Sequence, residues 1–247
     1  MTHPPTFWND ILKRPLDDAP RLRYAAWLDD RCDPLGEFIR VQCRLAGPIA
    51  DGACLAELED RERELLAEFE SEWALPLADK VSLWVFRRGF VHEVATTVEK
   101  FLAKGAELFR LAPIQEVHLD GLGSALESLI ASDHLERASY LDLSNNPVRD
   151  QGARRLAGCQ YLAKVRGLNL SSSGIGDGGL KALAYSPHLG HLRELYLCDN
   201  RISNSGASAL VRSPLADRLG LVHLRFNHIG TDGANLLQRR FGNRVCL

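Results

Sequence analysis

The C-terminal half of the chain repeats itself every 27 residues, and this repeat limits the possible folds more than any other feature. From Ala138 onward, four copies align without an insertion or a deletion. Four of the aligned columns are apolar, and two of them lie close together: Leu141, Leu168, Leu195 and Val222, and then Leu143, Leu170, Leu197 and Leu224. A repeat of this length is one structural unit whose apolar face is buried only by stacking on its neighbours.

The other columns assign a local structure to each part of the repeat. The two leucines have a period of two, which predicts a short strand with both side chains on one face. A polar column then follows, Asn146, Ser173, Asn200 and Asn227, in which a side-chain amide can bond backbone groups where the chain turns. A second polar column, Asp150, Asp177, Asn204 and Thr231, contains residue types that cap helix N-termini. One repeat is therefore predicted to be strand, turn and helix.

The pattern Leu192-x-x-Leu195-x-Leu197-x-x-Asn200-x-Ile202 resembles the leucine-rich-repeat consensus. The 27-residue length and the helical second half resemble the ribonuclease-inhibitor-like subclass, and the resemblance covers residues 113–247. It implies an α/β fold, a leucine-rich-repeat solenoid with parallel strands inside and helices outside.

Weaker copies flank the four regular ones. Ile114–Leu119 is predicted to be a strand, and Ser124 with Glu127 is predicted to form a capping box for the next helix. Residues 90–97 and 98–111 are expected to be the strand and helix of an irregular first repeat. At the other end, a helix over residues 236–241 is expected to stop at Gly242, before a last strand at 245–247.

The first 75 residues have a different composition. They hold 9 Lys and Arg against 16 Asp and Glu, whereas the remaining 172 residues hold 21 and 16. Helices are predicted from about Pro20, over Glu37–Leu45 and over Gly52–Trp73. The predicted domains are a helical head over 1–75, a connecting and capping segment over 76–112, and the repeats over 113–247. Tyr24 and Trp27 share a helix face, and we expect them to pack against the other helices or the end of the repeats, with a binding surface as the alternative.

The head also resembles a known domain. Two stretches, Asp17–Asp29 and Asp33–Gln42, are similar to the bacterial repeat-companion domain that accompanies leucine-rich repeats in planctomycete-type proteins. Arg88-Gly89-Phe90-Val91 resembles the segment that joins the two parts in those proteins. The resemblance implies a bacterial protein with an intracellular context, and it implies no catalytic activity.

Composition excludes several classes of function. The formal net charge is −2, which argues against a dedicated DNA-binding protein, although RNA binding by the mildly basic body stays an alternative. We expect no secretory signal and no membrane-spanning run, and therefore a cytoplasmic protein. None of the six cysteines forms a CxxC pair, so free thiols and no metal site are expected. No cofactor motif is present, because the glycine-rich stretch 174–179 coincides with the turn of the repeat.

The candidate site lies on the strand residues that alternate with the core leucines. We predict that they bind a protein partner, which the sequence does not identify. The predicted contact residues are His118, Asp120, Asp142, Ser144, Asn169, Tyr196, Asp199, His223, Arg225 and Phe226. Tyrosine, phenylalanine and arginine among small polar residues are typical of protein recognition.

Two alternatives are carried beside this hypothesis. In the first, the protein is an adaptor, and its acidic head supplies a second binding surface. In the second, it is a hydrolase that uses His118, Asp142 and Ser144, although an open sheet offers neither a deep pocket nor clear oxyanion donors. The main hypothesis is a non-enzymatic interaction module that is monomeric outside its complex.

Overall fold

The computed structural model describes residues 3–49 and 51–247. The chain divides into two compact units. The first comprises Met1–Val94 with Ala106–Gln115, and the second comprises Ala95–Gly105 with Glu116–Leu247. The division therefore passes through one strand and one helix.

The first unit contains the helices α1 (Pro5–Lys13), α2 (Asp18–Asp29), α3 (Pro34–Leu45) and α4 (Gly52–Ala74), followed by a 3₁₀ turn at Leu75–Leu77. Aspartates that bond a backbone N–H in the first turn precede α2, α3 and α4. The third helix begins three residues before the predicted start, because Asp33 caps it and Pro34 fits its first position. The sequence did not predict α1.

The predicted packing of the head aromatics is confirmed for Tyr24, whereas Trp27 is half-buried. Tyr24 is 2% exposed, and its ring lies 5.8 Å from that of Trp27 and 5.5 Å from that of Phe7. Arg21 is also buried, and its guanidinium donates to the carbonyl oxygens of Arg88 and Asp17, both at 3.1 Å. Main-chain carbonyl groups therefore compensate for part of the burial of this cation, whereas its Nη2 is buried without a hydrogen-bond partner among the described residues.

Two strands follow the helices of the head: β1 (Leu83–Arg87), which the sequence did not predict, and β2 (Phe90–Thr97). Arg88 and Gly89 join them with φ values of +53° and +88°, as expected for a tight two-residue turn between paired strands. Helix α5 spans Val98–Leu111. The predicted bounds of β2 and α5 are confirmed.

The second unit contains a parallel sheet whose strands follow chain order. The strands are β3 (Glu116–Asp120), β4 (Tyr140–Asp142), β5 (Gly167–Asn169), β6 (Glu194–Tyr196), β7 (Leu221–His223) and β8 (Val245–Cys246). The helices are α6 (Leu126–Ile130), α7 (Arg149–Ala157), α8 (Asp177–Ala184), α9 (Asn204–Val211) and α10 (Thr231–Phe241). Short 3₁₀ turns lie at Asp133–Arg137, Gln160–Leu162, Pro214–Asp217 and Gly242–Arg244.

The leucine columns form the core of this sheet. Leu141 pairs with Leu168, Leu168 with Leu195, and Leu195 with Val222, so the register repeats the 27-residue step. The side chains of both leucine columns are between 0% and 2% exposed. Burial of each such side chain contributes about 2 kcal/mol, so the two columns stabilise the stacked repeats.

The asparagine column links each repeat to the one before it. Asn200 Oδ1 accepts from the backbone N–H groups of Ile175 and Ser173 at 2.8 and 3.2 Å, and its Nδ2 donates to Leu170 O at 2.9 Å. Asn146 and Asn227 make the corresponding bonds to their own preceding repeats. The predicted bonding of these amides to the backbone is confirmed, and it extends across repeats.

The second polar column was wrongly predicted to cap the helices of its own repeats. Asp177 is the first residue of α8, and Gly176 stands before it at the capping position. Its carboxylate instead accepts from the backbone N–H groups of Ser203 and Gly206 in the next repeat, at 2.7 and 2.9 Å. A side chain at Gly206 would meet this carboxylate, since its Cβ would lie 2.4 Å from Oδ1. Asp177 therefore caps α9, the helix of the next repeat.

The ends of the repeat region differ in how well they were predicted. The capping box at Ser124 is wrong, because α6 begins at Leu126 after Ala125 and has no side-chain cap. Gly242 does end α10, at a φ of +59°, and β8 follows as predicted.

All six cysteines are free thiols. Among the described residues, no helix combines the length and the apolar character needed to cross a membrane.

We predict that Asn200→Ala lowers the free energy of unfolding by about 2–3 kcal/mol, because it leaves buried backbone groups of the preceding repeat without partners. Urea unfolding followed by circular dichroism measures the change. Asn235→Ala, at an exposed position of α10, is the control and should change little. Equal unfolding midpoints for the two variants would contradict the structural role of the asparagine column.

Candidate functional site

The candidate site is the strand face, which we define as the side of β3–β7 opposite the buried leucines. Its first two rows follow directly from the strand register. The first row is Glu116, Tyr140, Gly167, Glu194 and Leu221, and the second is His118, Asp142, Asn169, Tyr196 and His223. A third row contains Asp120, the last residue of β3, and the residues Ser144, Ser171, Cys198 and Arg225, which follow their strands. A fourth row contains Asn145, Ser172, Asp199 and Phe226.

Asp142 is the centre of a hydrogen-bond network in the second row. Its carboxylate lies 3.2 Å from His118 Nδ1, and it accepts from Asn169 Nδ2 at 2.8 Å and from the backbone N–H of Ser144 at 2.7 Å. Burial tends to raise the pKa of Asp142, but hydrogen bonds from His118, Ser144 and Asn169 outweigh it and lower the pKa to about 2. The carboxylate is therefore ionised and fully engaged at neutral pH.

This network does not have the arrangement of a catalytic triad. Nucleophilic activation requires the serine hydroxyl to bond the histidine that takes its proton. Here Ser144 and His118 both bond Asp142, so the carboxylate joins them. The geometry stabilises a charge on the face and gives no support to the hydrolase alternative.

Aromatic rings form a continuous strip across the face. The ring of Tyr140 lies 6.0 Å from that of His118 and 6.1 Å from that of Tyr196, and Tyr196 stacks on His223 at 4.9 Å. Tyr140 covers the backbone of Gly167, where an added Cβ would lie 2.3 Å from its Cδ2. The missing side chain on β5 thus allows the tyrosine ring to reach across that strand.

The first row was missed by the sequence analysis. Tyr140 and Glu194 precede the first core leucine of their repeats, and the period of two places them on the same face as Asp142 and Tyr196. Extending the alternation by one step toward the N-terminus of each strand would have found them. The hydroxyl of Tyr196 donates to Glu194 Oε2 at 2.9 Å, which ties the two rows together.

The fourth row has an unusual backbone. Asn145, Ser172, Asp199 and Phe226 have φ values of +58°, +53°, +51° and +60°. Asparagine and aspartate adopt this left-handed conformation at low cost, whereas a bulky residue in it is an outlier. Phe226 is also 81% exposed, so its ring gains little from burial. Strain without a packing gain is typical of a position with a function.

A separate cavity lies within the first unit. It has a volume of about 240 Å³, and aromatic residues from distant segments line it, among them Trp8, Trp73, Phe86 and Phe90. No local pattern predicts such a cavity, because α1, α4, β1 and β2 each contribute one of these rings.

Comparison with known families agrees with this geometry. Residues 139–157, 161–184 and 188–211 match the family model described as Leucine Rich repeat. The chain therefore contains leucine-rich repeats between residues 139 and 211, and these stretches include the whole of β4, β5 and β6. No curated protein matches the chain. Leucine-rich repeats generally mediate protein–protein interaction and are typically non-enzymatic.

We predict that Asp142→Asn lowers the free energy of unfolding by about 2 kcal/mol at pH 7. The folded-state pKa of Asp142 is below its usual value, so the ionised carboxylate stabilises the fold above about pH 4. This contribution is lost as the pH falls from about 4 to about 2. Urea midpoints of both proteins at pH 7 and pH 2.5 measure it.

The matched control for that experiment is Asp232→Asn, which removes the same charge from an exposed position of α10. The control should have little effect at either pH. A destabilisation by Asp142→Asn that is as large at pH 2.5 as at pH 7 would contradict the role of the ionised carboxylate.

We predict that Phe226→Asn raises the free energy of unfolding by about 1 kcal/mol, because asparagine adopts a positive φ more easily than phenylalanine. Thermal unfolding measures the gain. Phe226→Ala removes the same ring without supplying an amide, and it should gain less. If the two variants unfold at the same temperature as the parent protein, Phe226 is not strained.

Proposed function

We propose that this protein is a non-enzymatic interaction module that binds a protein partner on the strand face. The observation that carries the proposal is Phe226, a large aromatic side chain that is both strongly exposed and held at a positive φ. Folding alone gives no reason to place phenylalanine there. A partner that buries the ring would recover the hydrophobic free energy that the isolated chain forgoes.

The neighbours of Phe226 support a protein ligand. Arg225 is exposed beside it, and Tyr196 and Asp199 lie one strand away. Tyrosine, arginine and phenylalanine are enriched at the centres of protein interfaces, and small polar residues commonly surround them. The remaining predicted contacts are His118, Asp120, Asp142, Ser144, Asn169 and His223.

The wider context is part of the same proposal. We infer a solenoid of ribonuclease-inhibitor-like repeats from the 27-residue spacing and from the parallel register of β3–β8. The motifs of residues 17–42 support a repeat-companion head, and with it a bacterial, cytoplasmic protein.

A second candidate function is the two-sided adaptor. The observation that favours it is the cavity of about 240 Å³ in the first unit, whose aromatic walls suit an apolar side chain of another protein. This function would be supported by a partner that no longer binds the full-length Trp8→Ala variant but still binds a variant of the strand face.

The experiment that tests the main proposal compares partner binding by the parent protein and by Tyr196→Ala/Phe226→Ala. The tagged full-length chain is used to purify partners from the native lysate, and the affinity of the purified pair is then measured. We predict at least a hundredfold weaker binding by the double variant, because two central aromatic anchors are removed. Circular dichroism should show an unchanged fold.

The matched control is Tyr185→Ala/Leu236→Ala. It removes two exposed large side chains from α10 and the end of α8, away from the strand face. Partner binding that is unchanged in the strand-face variant, or weakened equally in both, would refute the proposed face.

A further inference from the structure

We propose that the strand face recognises a basic side chain of its protein partner, an arginine or a lysine, at a site formed by Tyr140, Tyr196 and Glu194. This inference rests on the proposed function, and it adds the chemistry of the partner. The site lies in the first two rows, and its acid and one of its rings were not among the predicted contacts.

The two tyrosine rings supply the first part of the argument. Their centroids are 6.1 Å apart and their planes are inclined by 64°, so the rings form an angled corner on the sheet. Both side chains are half-buried, which keeps part of each ring accessible. The face of an aromatic ring attracts a cation within about 6 Å of its centroid, and arginine is the most frequent partner.

Glu194 supplies a fixed negative charge beside this corner. Its Oε2 accepts the hydrogen bond of the Tyr196 hydroxyl at 2.9 Å, which orients the carboxylate. Burial, followed by this hydrogen bond, raises the pKa of Tyr196 to about 12, so the hydroxyl remains a donor at neutral pH. An ionised carboxylate has about four acceptor positions, and the hydroxyl occupies one of them. The others can receive a guanidinium or an ammonium group.

The size of the corner depends on Gly167. Tyr140 lies against the backbone of this residue, and any Cβ there would meet the ring at 2.3 Å. A larger residue in β5 would push Tyr140 away from the sheet and disturb the approach of the two rings. The single glycine in the first row of the face is therefore consistent with a site that spans β4 to β6.

The charge of the whole face favours a basic partner. Its four rows contain five carboxylates against one arginine. The carboxylates are Glu116, Asp120, Asp142, Glu194 and Asp199. A surface of this charge attracts basic segments and repels nucleic acids and acidic proteins, and it raises association rates most at low ionic strength.

The test begins with a peptide selection on the full-length protein. A random linear dodecapeptide library displayed on phage is selected against the immobilised chain, and bound phage are rescreened on Tyr196→Ala/Phe226→Ala. We expect enriched peptides that need the intact face and share an arginine or a lysine. Peptides that need the face but share no basic residue would overturn this inference and leave the proposed function standing. If no peptide binds, or if every peptide binds the double variant as well as the parent protein, both this inference and the proposed function are wrong.

Affinities of a selected synthetic peptide then test the site itself, by fluorescence anisotropy. Glu194→Gln should weaken binding about tenfold, and replacing the shared basic residue of the peptide by glutamine should do the same. Tyr196→Phe keeps the ring but loses the bond to Glu194, so it should weaken binding about threefold. These substitutions are conservative, and unfolding midpoints verify that each variant is folded.

The control is Asp232→Asn, which changes the net charge by the same amount away from the face. Peptide binding should be unchanged in this variant and should weaken as sodium chloride rises from 50 to 500 mM. If Glu194→Gln and Asp232→Asn weaken peptide binding equally, the effect comes from net charge alone, and the proposed site is wrong.

Discussion

The fold of the second unit depends on hydrogen bonds that pass from one repeat to the next. Burial of the stacked leucines stabilises the repeats, but apolar contact is non-directional and does not by itself fix how far one strand is offset from its neighbour. Asn200 fixes that offset, because its amide bonds backbone groups on both sides of the preceding turn. Asp177 bonds in the opposite direction, to the start of the next helix. Together the two columns tie each repeat to both neighbours.

The sequence predicted the repeat architecture well because these constraints are local and periodic. Four copies without an insertion determine which residues share a row, and the register of β4–β7 agrees with that assignment. The bounds of β2 and α5 were also predicted, since their apolar patterns are clear. The bonding direction of Asp177 could not be predicted, because aspartate suits its own helix and its neighbour's helix equally well.

Features that depend on residues distant in the chain were missed. The reach of Tyr140 across Gly167 toward Tyr196 involves three repeats, and only the folded sheet brings these residues together. The cavity of the first unit likewise collects rings from four separate elements. The positive φ of Phe226 is a different case, because the aligned Asn145 and Asp199 already suggest a left-handed turn there. The sequence therefore indicates the strain, because Phe226 is an aromatic residue aligned with three small polar ones.

The two ends of the strand face use their polar groups differently, and this difference locates the proposed binding. At β3–β5, Asp142 receives hydrogen bonds from His118, Ser144 and Asn169, so its charge is already compensated. At β6 and β7, the Glu194 carboxylate is oriented by a single tyrosine hydroxyl, and the ring of Phe226 extends into solvent. Removing water from Asp142 would disrupt a stabilising hydrogen-bond network. A basic, partly apolar segment that covers Glu194 and Phe226 would instead pair the carboxylate with a cation and bury the exposed ring. The proposed binding therefore centres on β6 and β7, and Tyr140 contributes to it from β4 because its ring lies across Gly167 toward Tyr196.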